Sequence, residues 1–460
     1  MITRLLSIIM VVVMTACMIS GCGTTADKQK EISIPEEKVT LSIAGPWEES
    51  TAFEAISAEF TKAYPNCRVV YEYVQNYYDA VATRLSGEDA GIDLFITTNL
   101  QSDSKLLPYA LELFSKGDQL DLSGAFDGLI QNFTYMNADP SAPAAIYAIP
   151  LGAEIRGMYV NKTLLESQGI SVPRDRTELL AACEKLKRAG YIPLQGNPGK
   201  FGQLLMYPYI CNTIANSADY TTVYNRINSR EKGIGEFFED PMSLLYSLVQ
   251  NGYYNYKYVE NTNGFFSENG TESAARCFMN ITGENGDYQK GDDMGSVAFM
   301  PGTMSLENTI SKLKEDYHSG IDYEFILSPV GADGGYAYMS PADGIAVNKN
   351  SANTEWALKY MNYLFTPENN KLFAEEDHIT PNTADAFDQI KEKFDVSEDH
   401  ISQLGSVTFN YSFYDNINDT LTEISKANNP KYMIDNGDGT YAMYPLDYYM
   451  ENLENRLTSN

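Results

Sequence analysis

Basic residues are scarce in this chain: 33 Lys and Arg stand against 62 Asp and Glu, a formal net charge of −29 over 460 residues. That balance argues against a nucleic-acid partner, because phosphate binding needs a basic face. It also argues against adsorption to anionic lipid through a basic patch. The acidity reads instead as a device for solubility. Histidine is scarcer still. His318, His378 and His400 are isolated along the sequence. They offer no metal cluster, and neither a metal nor another cofactor is expected. Four of the six cysteines, Cys67, Cys183, Cys211 and Cys277, are far apart and lack a Cys-x-x-Cys spacing, which argues against zinc. Their even number in an exported chain permits disulfides that spacing cannot pair. Cys183 lies in an apolar helical pattern and reads as a small buried hydrophobe. Catalytic signatures are missing too: there is no Gly-x-Ser-x-Gly elbow and no Gly-rich phosphate loop with Lys. So many carboxylates leave a glycosidase pair open, but an accidental pair is always available among them, and no catalytic residue is assigned.

The chain does have enough apolar residues, 43%, to fold, and enough length for two or three domains. Tyrosine is frequent, 33 residues against two tryptophans. Its flat ring with a polar tip suits sugar faces and wet interfaces. At the start, Arg4 precedes an apolar run from Leu5 to Met18, then Ile19-Ser20-Gly21-Cys22. A short basic region, an apolar core too short for a comfortable membrane span and a small residue before a cleavage point predict a secretory signal. Residues 23–38 are polar, lack a fold pattern and read as a flexible tether.

The mature chain opens with strand, helix, strand, helix, strand: Val39–Ala44, a helix from Thr51 to Tyr64, Arg68–Val74, Tyr77–Leu85 and Gly91–Thr97. This order predicts a parallel α/β sheet with ligands beyond the carboxyl ends of its strands, at Gly45–Ser50 and Thr98–Gln101. The chain is organised around residues 147–165. There a proline stop at Pro150 precedes an expected polar loop, Gly152 to Arg156. A short apolar strand, Met158 to Val160, follows, and Asn161 stands as a helix N-cap. A later helix is expected to begin at Thr177.

Several of these stretches, in order, resemble the family 1 extracellular solute-binding proteins of ABC transporters. Tyr147-Ala148-Ile149-Pro150 followed by Tyr159-Val160-Asn161-Lys162 is similar to that family's crossover between lobes. Phe60 to Pro65, Gly91 to Phe95, Thr177 to Leu180, Gly190 to Pro193, Ala298 to Thr303, Tyr338 to Asn348 and Trp356 to Glu368 resemble its other signatures. Met304 stands where the family usually places a tryptophan. Ile-Ser-Gly-Cys resembles a lipobox, with Cys22 as the lipidated residue and Cys17 a poorer candidate. The resemblance covers residues 39–382 and leaves 383–460 unmatched.

It implies a periplasmic-binding-protein-like α/β fold of two lobes joined by a hinge, with the ligand cleft between them. Lobe one is expected at 39–149 plus 324–368, and lobe two at 150–323 plus 369–460. A carbohydrate, expected to be an oligosaccharide, would be passed to ABC permease subunits by a monomer held at the membrane by its lipid anchor, facing outward. Ligand contacts are expected from Trp47, Glu48 and Glu49 after the first strand, and from Thr98 and Asn99 after the third. Glu154 and Arg156 in the crossover, Thr303 and Met304 in a glycine turn, and Tyr338 and Asp343 on the return strand complete the set, with Tyr207 and Tyr209 as stacking candidates. Glu154 and Arg156 could instead pair with each other. Glu154 near Arg156 also leaves room for an amino or acidic sugar. A sensor subunit that presents ligand to a receptor kinase would share these features; a secreted carbohydrate-active enzyme would release products from glycans.

Overall fold

The computed structural model of the chain describes residues 37–48, 50–87, 90–97, 105–117, 119–122, 124–125, 134–135, 145–196, 199–215, 217, 219–254, 270–281, 296–376, 378–402 and 413–459. The expected leader, Cys22, most of the tether, Glu49, Thr98 and Asn99 lie outside these residues. Among the described residues sixteen strands run in chain order: β1 (Val39–Gly45), β2 (Cys67–Tyr73), β3 (Leu94–Thr97), β4 (Thr134–Tyr135), β5 (Ala145–Ile146), β6 (Ile149–Pro150), β7 (Gly152–Asn161), β8 (Ile192–Leu194), β9 (Val297–Thr303), β10 (Tyr323–Ile326), β11 (Ala337–Pro341), β12 (Gly344–Val347), β13 (Thr380–Pro381), β14 (Ile401–Ser402), β15 (Ile434–Asp435) and β16 (Tyr441–Ala442).

The first lobe is built on a five-stranded sheet ordered β2-β1-β3-β12-β6. β1 lies parallel to β2 and β3, and β12 runs antiparallel to β3 and β6. The helix Thr51–Ala63 forms where the sequence predicts it. The Ser50 hydroxyl accepts from the Phe53 N–H at its start, and Ala52, Phe53, Ile56 and Phe60 bury one face. Phe60 meets Trp356, Tyr360 and Tyr363 edge-on at 6.3, 5.1 and 5.3 Å, so the helix Thr354–Leu364 closes the same core.

The second lobe carries a seven-stranded sheet ordered β14-β11-β7-β9-β8, with β10 and β13 also paired to β7. Its main core combines Leu205, Met206 and Ile210 of the helix Phe201–Ala215 with residues of the unmatched tail. Phe413, Ile417 and Leu421 of the helix Phe413–Ser425, and Leu453 and Leu457 of the helix Leu446–Thr458, are all fully buried there. The tail is therefore part of this lobe. Cys67, Cys183, Cys211 and Cys277 are each buried and no disulfide joins them, and the Cys277 thiol donates to the Gln195 amide oxygen at 2.8 Å.

Two expectations are corrected at the crossover. The supposed loop Gly152–Arg156 is the first half of a ten-residue strand, β7. Its side chains alternate: Ala153 and Ile155 pack with Met304, Leu327 and Met339, while Glu154 and Arg156 face the other way. The assignment of 324–368 to lobe one also fails at its beginning. β10 and β11 hydrogen-bond to β7 in the second sheet, and only after Pro341 does the chain enter the first.

The lobes are thus linked by crossing strands that bond to each other. The Leu151 N–H donates to the Asp343 carbonyl at 2.8 Å, and the Ala342 N–H donates to the Gly152 carbonyl at 2.7 Å. Close by, Thr380 and Pro381 of β13 pair with Ala153 and Gly152. Buried asparagines tie the junction. Asn370 Nδ2 donates to the Leu151 carbonyl at 2.8 Å and Asn382 Nδ2 to the Pro150 carbonyl at 3.0 Å. Gly157 is required further along β7, where a Cβ would stand 2.3 Å from the Ile326 carbonyl oxygen.

Candidate functional site

One face of β7 brings together five of the sequence-derived candidates, Glu154, Arg156, Thr303, Tyr207 and Tyr338. Arg156 lies opposite Thr303 in the β7–β9 register, and Glu154 lies opposite Ser340 in the β7–β11 register. Strand geometry spaces Glu154 and Arg156 by roughly 6.6 Å along one face. The Arg156 guanidinium carbon stands 4.7 Å from the Tyr207 ring centre and 5.4 Å from that of Tyr338, which puts the cation against two aromatic rings. Tyr207 comes from the helix Phe201–Ala215 and Tyr338 from β11; their rings meet at 5.8 Å, with Tyr414 5.6 Å beyond. Both tyrosines are buried, which pushes their hydroxyls well above the ordinary tyrosine range.

Glu154 and Arg156 do not form an ion pair with each other. Each carries a buried polar atom without a hydrogen-bond partner, Oε2 of Glu154 and Nη1 of Arg156. Burial raises the Glu154 carboxyl to about 7; hydrogen bonds from Ser305 and Thr303 oppose the rise, the Asp343 charge adds to it and the Arg156 charge reduces it. Orphaned buried donors and acceptors of this kind are rare in folded proteins and costly when left unmet. Here a donor and an acceptor lie two residues apart on one face of β7, close to where the two lobes meet.

The remaining candidates divide. Asp343 lies at the crossing itself, its carbonyl held by Leu151. Trp47 follows β1 and stays half-exposed, stacked on Tyr71 at 6.4 Å and on Phe53 at 6.3 Å. The Tyr71 hydroxyl fixes its backbone through bonds to both the Trp47 N–H and carbonyl, each 3.1 Å. Glu48 is exposed beside it.

Met304 is a correction: it is buried with Ala153 and Ile155 on the opposite side of β7, so its side chain is turned away from Glu154 and Arg156. Tyr209 is a second correction. Two residues along the helix from Tyr207, it points elsewhere, stacked on Tyr336 at 5.4 Å and hydrogen-bonded to Asp240. Arg176 completes that group, donating to Asp240 at 3.0 and 2.8 Å over the Tyr209 ring. The hydrogen bond from Arg176 is the largest influence holding the Asp240 carboxyl below its usual range. The sequence reading missed Ser305 and Tyr414. Ser305, 3.2 Å from the Thr303 hydroxyl, was signalled only by following Gly302-Thr303 at two residues' distance.

Residues 44–215 match the family of bacterial extracellular solute-binding proteins. No curated protein matches the sequence. Among solved structures, the GacH receptor of Streptomyces glaucescens, studied unliganded and with acarbose, is 15% identical with a TM-score of 0.61 over 92% of this chain and 100% of that one. A family 1 extracellular solute-binding protein from Bifidobacterium longum subsp. infantis is 15% identical, with a TM-score of 0.59 over 92% and 100%. A sugar transporter protein of Bacillus licheniformis, in complex with stachyose, is 14% identical, with a TM-score of 0.54 over 91% and 100%. At such identities the likeness defines the class of fold, the two-lobed α/β architecture of periplasmic binding proteins. With the family match over 44–215, the resemblance to family 1 extracellular solute-binding proteins read from the sequence holds.

Proposed function

We propose that this protein is the substrate-binding lipoprotein of an ABC importer. It captures a carbohydrate, an oligosaccharide, in the cleft between its lobes and delivers it to the membrane permease from the extracytoplasmic side. Cys22 carries the lipid, and the monomer works without a cofactor or catalytic residue. Lobe one comprises about 39–151 plus 342–379 and lobe two about 152–341 plus 380–459, divided where the strand pairing changes sheets. The observation that carries this reading is the pair of orphaned polar atoms on Glu154 and Arg156 beside the crossing strands. A hydroxylated ligand meets both atoms as the lobes close by a hinge. Thr303, Tyr338, Asp343 and, across the cleft, Trp47 and Glu48 extend the contact surface. Relatives of the same fold solved with stachyose, raffinose and acarbose favour an oligosaccharide as cargo.

Thermal melts of the purified protein against mono- and oligosaccharides test the reading. A ligand that binds only the folded state stabilises it by about 2.7 kcal/mol at a hundredfold excess over Kd. A clear rise in Tm with one glycan class, and no product released from that glycan, is expected. No shift with any glycan, or turnover of the one that binds, would sink the reading.

A further inference from the structure

Resting on that carbohydrate-binding reading, we propose that the cargo is an anionic carbohydrate whose carboxylate is gripped by Arg156. Guanidinium groups carry five N–H donors in one plane and no acceptor. The rings of Tyr207 and Tyr338 lie 4.7 and 5.4 Å from the Arg156 guanidinium carbon, and aromatic faces attract the charge without accepting in-plane N–H bonds as an oxygen does. Nη1 is accordingly buried and unpaired. The groups facing this cation from the elements around it are Tyr207 and Cys211 of the helix Phe201–Ala215, Tyr338 of β11 and Thr303 of β9. None of these is a carboxylate; the acids whose charges reach this group are Asp415, which acts on Tyr207, and Glu154, which itself feels Arg156 and Asp343.

Glu154, on the same strand, is the nearest acid to consider, and it leaves Arg156 unbridged. Burial together with the Asp343 charge favours its protonated form up to about pH 7. A protonated Glu154 donates a hydrogen bond and does not repel an anion. Arg156 and a neutral Glu154 then present donors from one face of β7, and the guanidinium fork suits a carboxylate. A half-buried guanidinium with one buried N–H unmet is costly to leave so, and an incoming carboxylate offsets that cost more than a hydroxyl does. The chain as a whole carries a net charge of −29, which disfavours anions everywhere else on its surface. An anionic cargo therefore needs a buried cation of this kind.

Calorimetry on the whole protein with matched oligosaccharide pairs decides the matter. Each pair consists of a hexuronate oligosaccharide (galacturonate, glucuronate, mannuronate or guluronate) and its carboxyl-reduced neutral counterpart, measured at pH 6. At least one acidic member is expected to bind about tenfold to a hundredfold tighter than its neutral twin, the range for a hydrogen bond to a charged group. Arg156→Gln is expected to erase that ratio, and Arg156→Lys, which keeps the charge but loses the planar fork, to reduce it. A merely structural arginine would weaken both members equally and leave the ratio intact. Equal binding of the twins by the unaltered protein overturns the anionic assignment and leaves the carbohydrate reading standing, as does binding of neutral glycans alone. Failure of every glycan overturns both.

Discussion

Gly152 sits so close to Thr380 that a Cβ on it would stand 2.6 Å from the Thr380 carbonyl oxygen and 2.7 Å from the Ile379 side chain. The first obstacle is backbone, held in place by the pairing of Thr380 with Ala153 and of Pro381 with Gly152. Gly152→Ala therefore forces apart two segments at the junction of the lobes. A loss of about 1–3 kcal/mol is expected, as for other overpacking changes, read as a lower urea midpoint at unchanged slope. An unaltered midpoint would show that this approach can open freely.

Glu154 makes stability depend on pH in an unusual direction. Its folded carboxyl titrates at about 7 against an ordinary value of 4.5. Between those values the native state holds a proton that the unfolded chain has lost, so its contribution to stability falls as pH rises from about 4.5 through 7. The full span is on the order of 3 kcal/mol. Glu154→Gln removes the titration. The stability difference between pH 5 and pH 8 is expected to shrink in the variant by up to that amount in denaturant melts. An identical difference in both proteins would contradict a buried, near-neutral carboxyl.

Asn370 and Asn382 hold adjacent carbonyls of the crossing strand from one side. Removing either amide leaves a buried carbonyl without its donor. Asn370→Ala and Asn382→Ala are each expected to destabilise by about 1–3 kcal/mol. Because both act on Pro150 and Leu151, the double variant is expected to deviate from additivity. Strict additivity in a double-mutant cycle would mean that the two bonds act independently.

Tyr207 and Tyr209 separate the proposed binding face from its surroundings. Tyr209 is occupied by Tyr336, Asp240 and Arg176, so Tyr209→Ala is expected to leave glycan affinity within about twofold, since surface changes away from a site rarely exceed 0.5 kcal/mol. Tyr207→Phe keeps the ring beside Arg156 and is expected to do the same. Tyr207→Ala removes one of the two faces on the cation, and glycan affinity is expected to fall by about fivefold or more, in the range for desolvated cation–aromatic pairs. Equal losses for the two alanine variants in calorimetry would place both tyrosines at the ligand.

Much of the first lobe was legible because its signals are local. Ser50 caps its first helix through its own side chain at three residues' reach, as Asn161 does in the second lobe. The start of the helix Arg176–Arg188 was read one residue late, because its cap is Asp175, not a residue after it. β7 was half missed because Glu154 and Arg156 look like loop residues until something buries their neighbours. The tail was illegible as a match, yet its helices carry apolar residues at helical spacing that fill the second core.

Sequence alone determined the α/β character, the acidic surface, the crossover and the candidate residues Glu154, Arg156, Tyr207, Tyr338 and Asp343, since alternation, caps and charge are written along the chain. Tertiary structure decided which of them meet. It set Met304 and Tyr209 apart from the proposed binding face, assigned β10 and β11 to the second sheet and left a buried donor and a buried acceptor unmet on one face of β7. The reason is that a strand's two faces become inside and outside only when neighbouring strands and helices, drawn from positions up to hundreds of residues away, close over one of them.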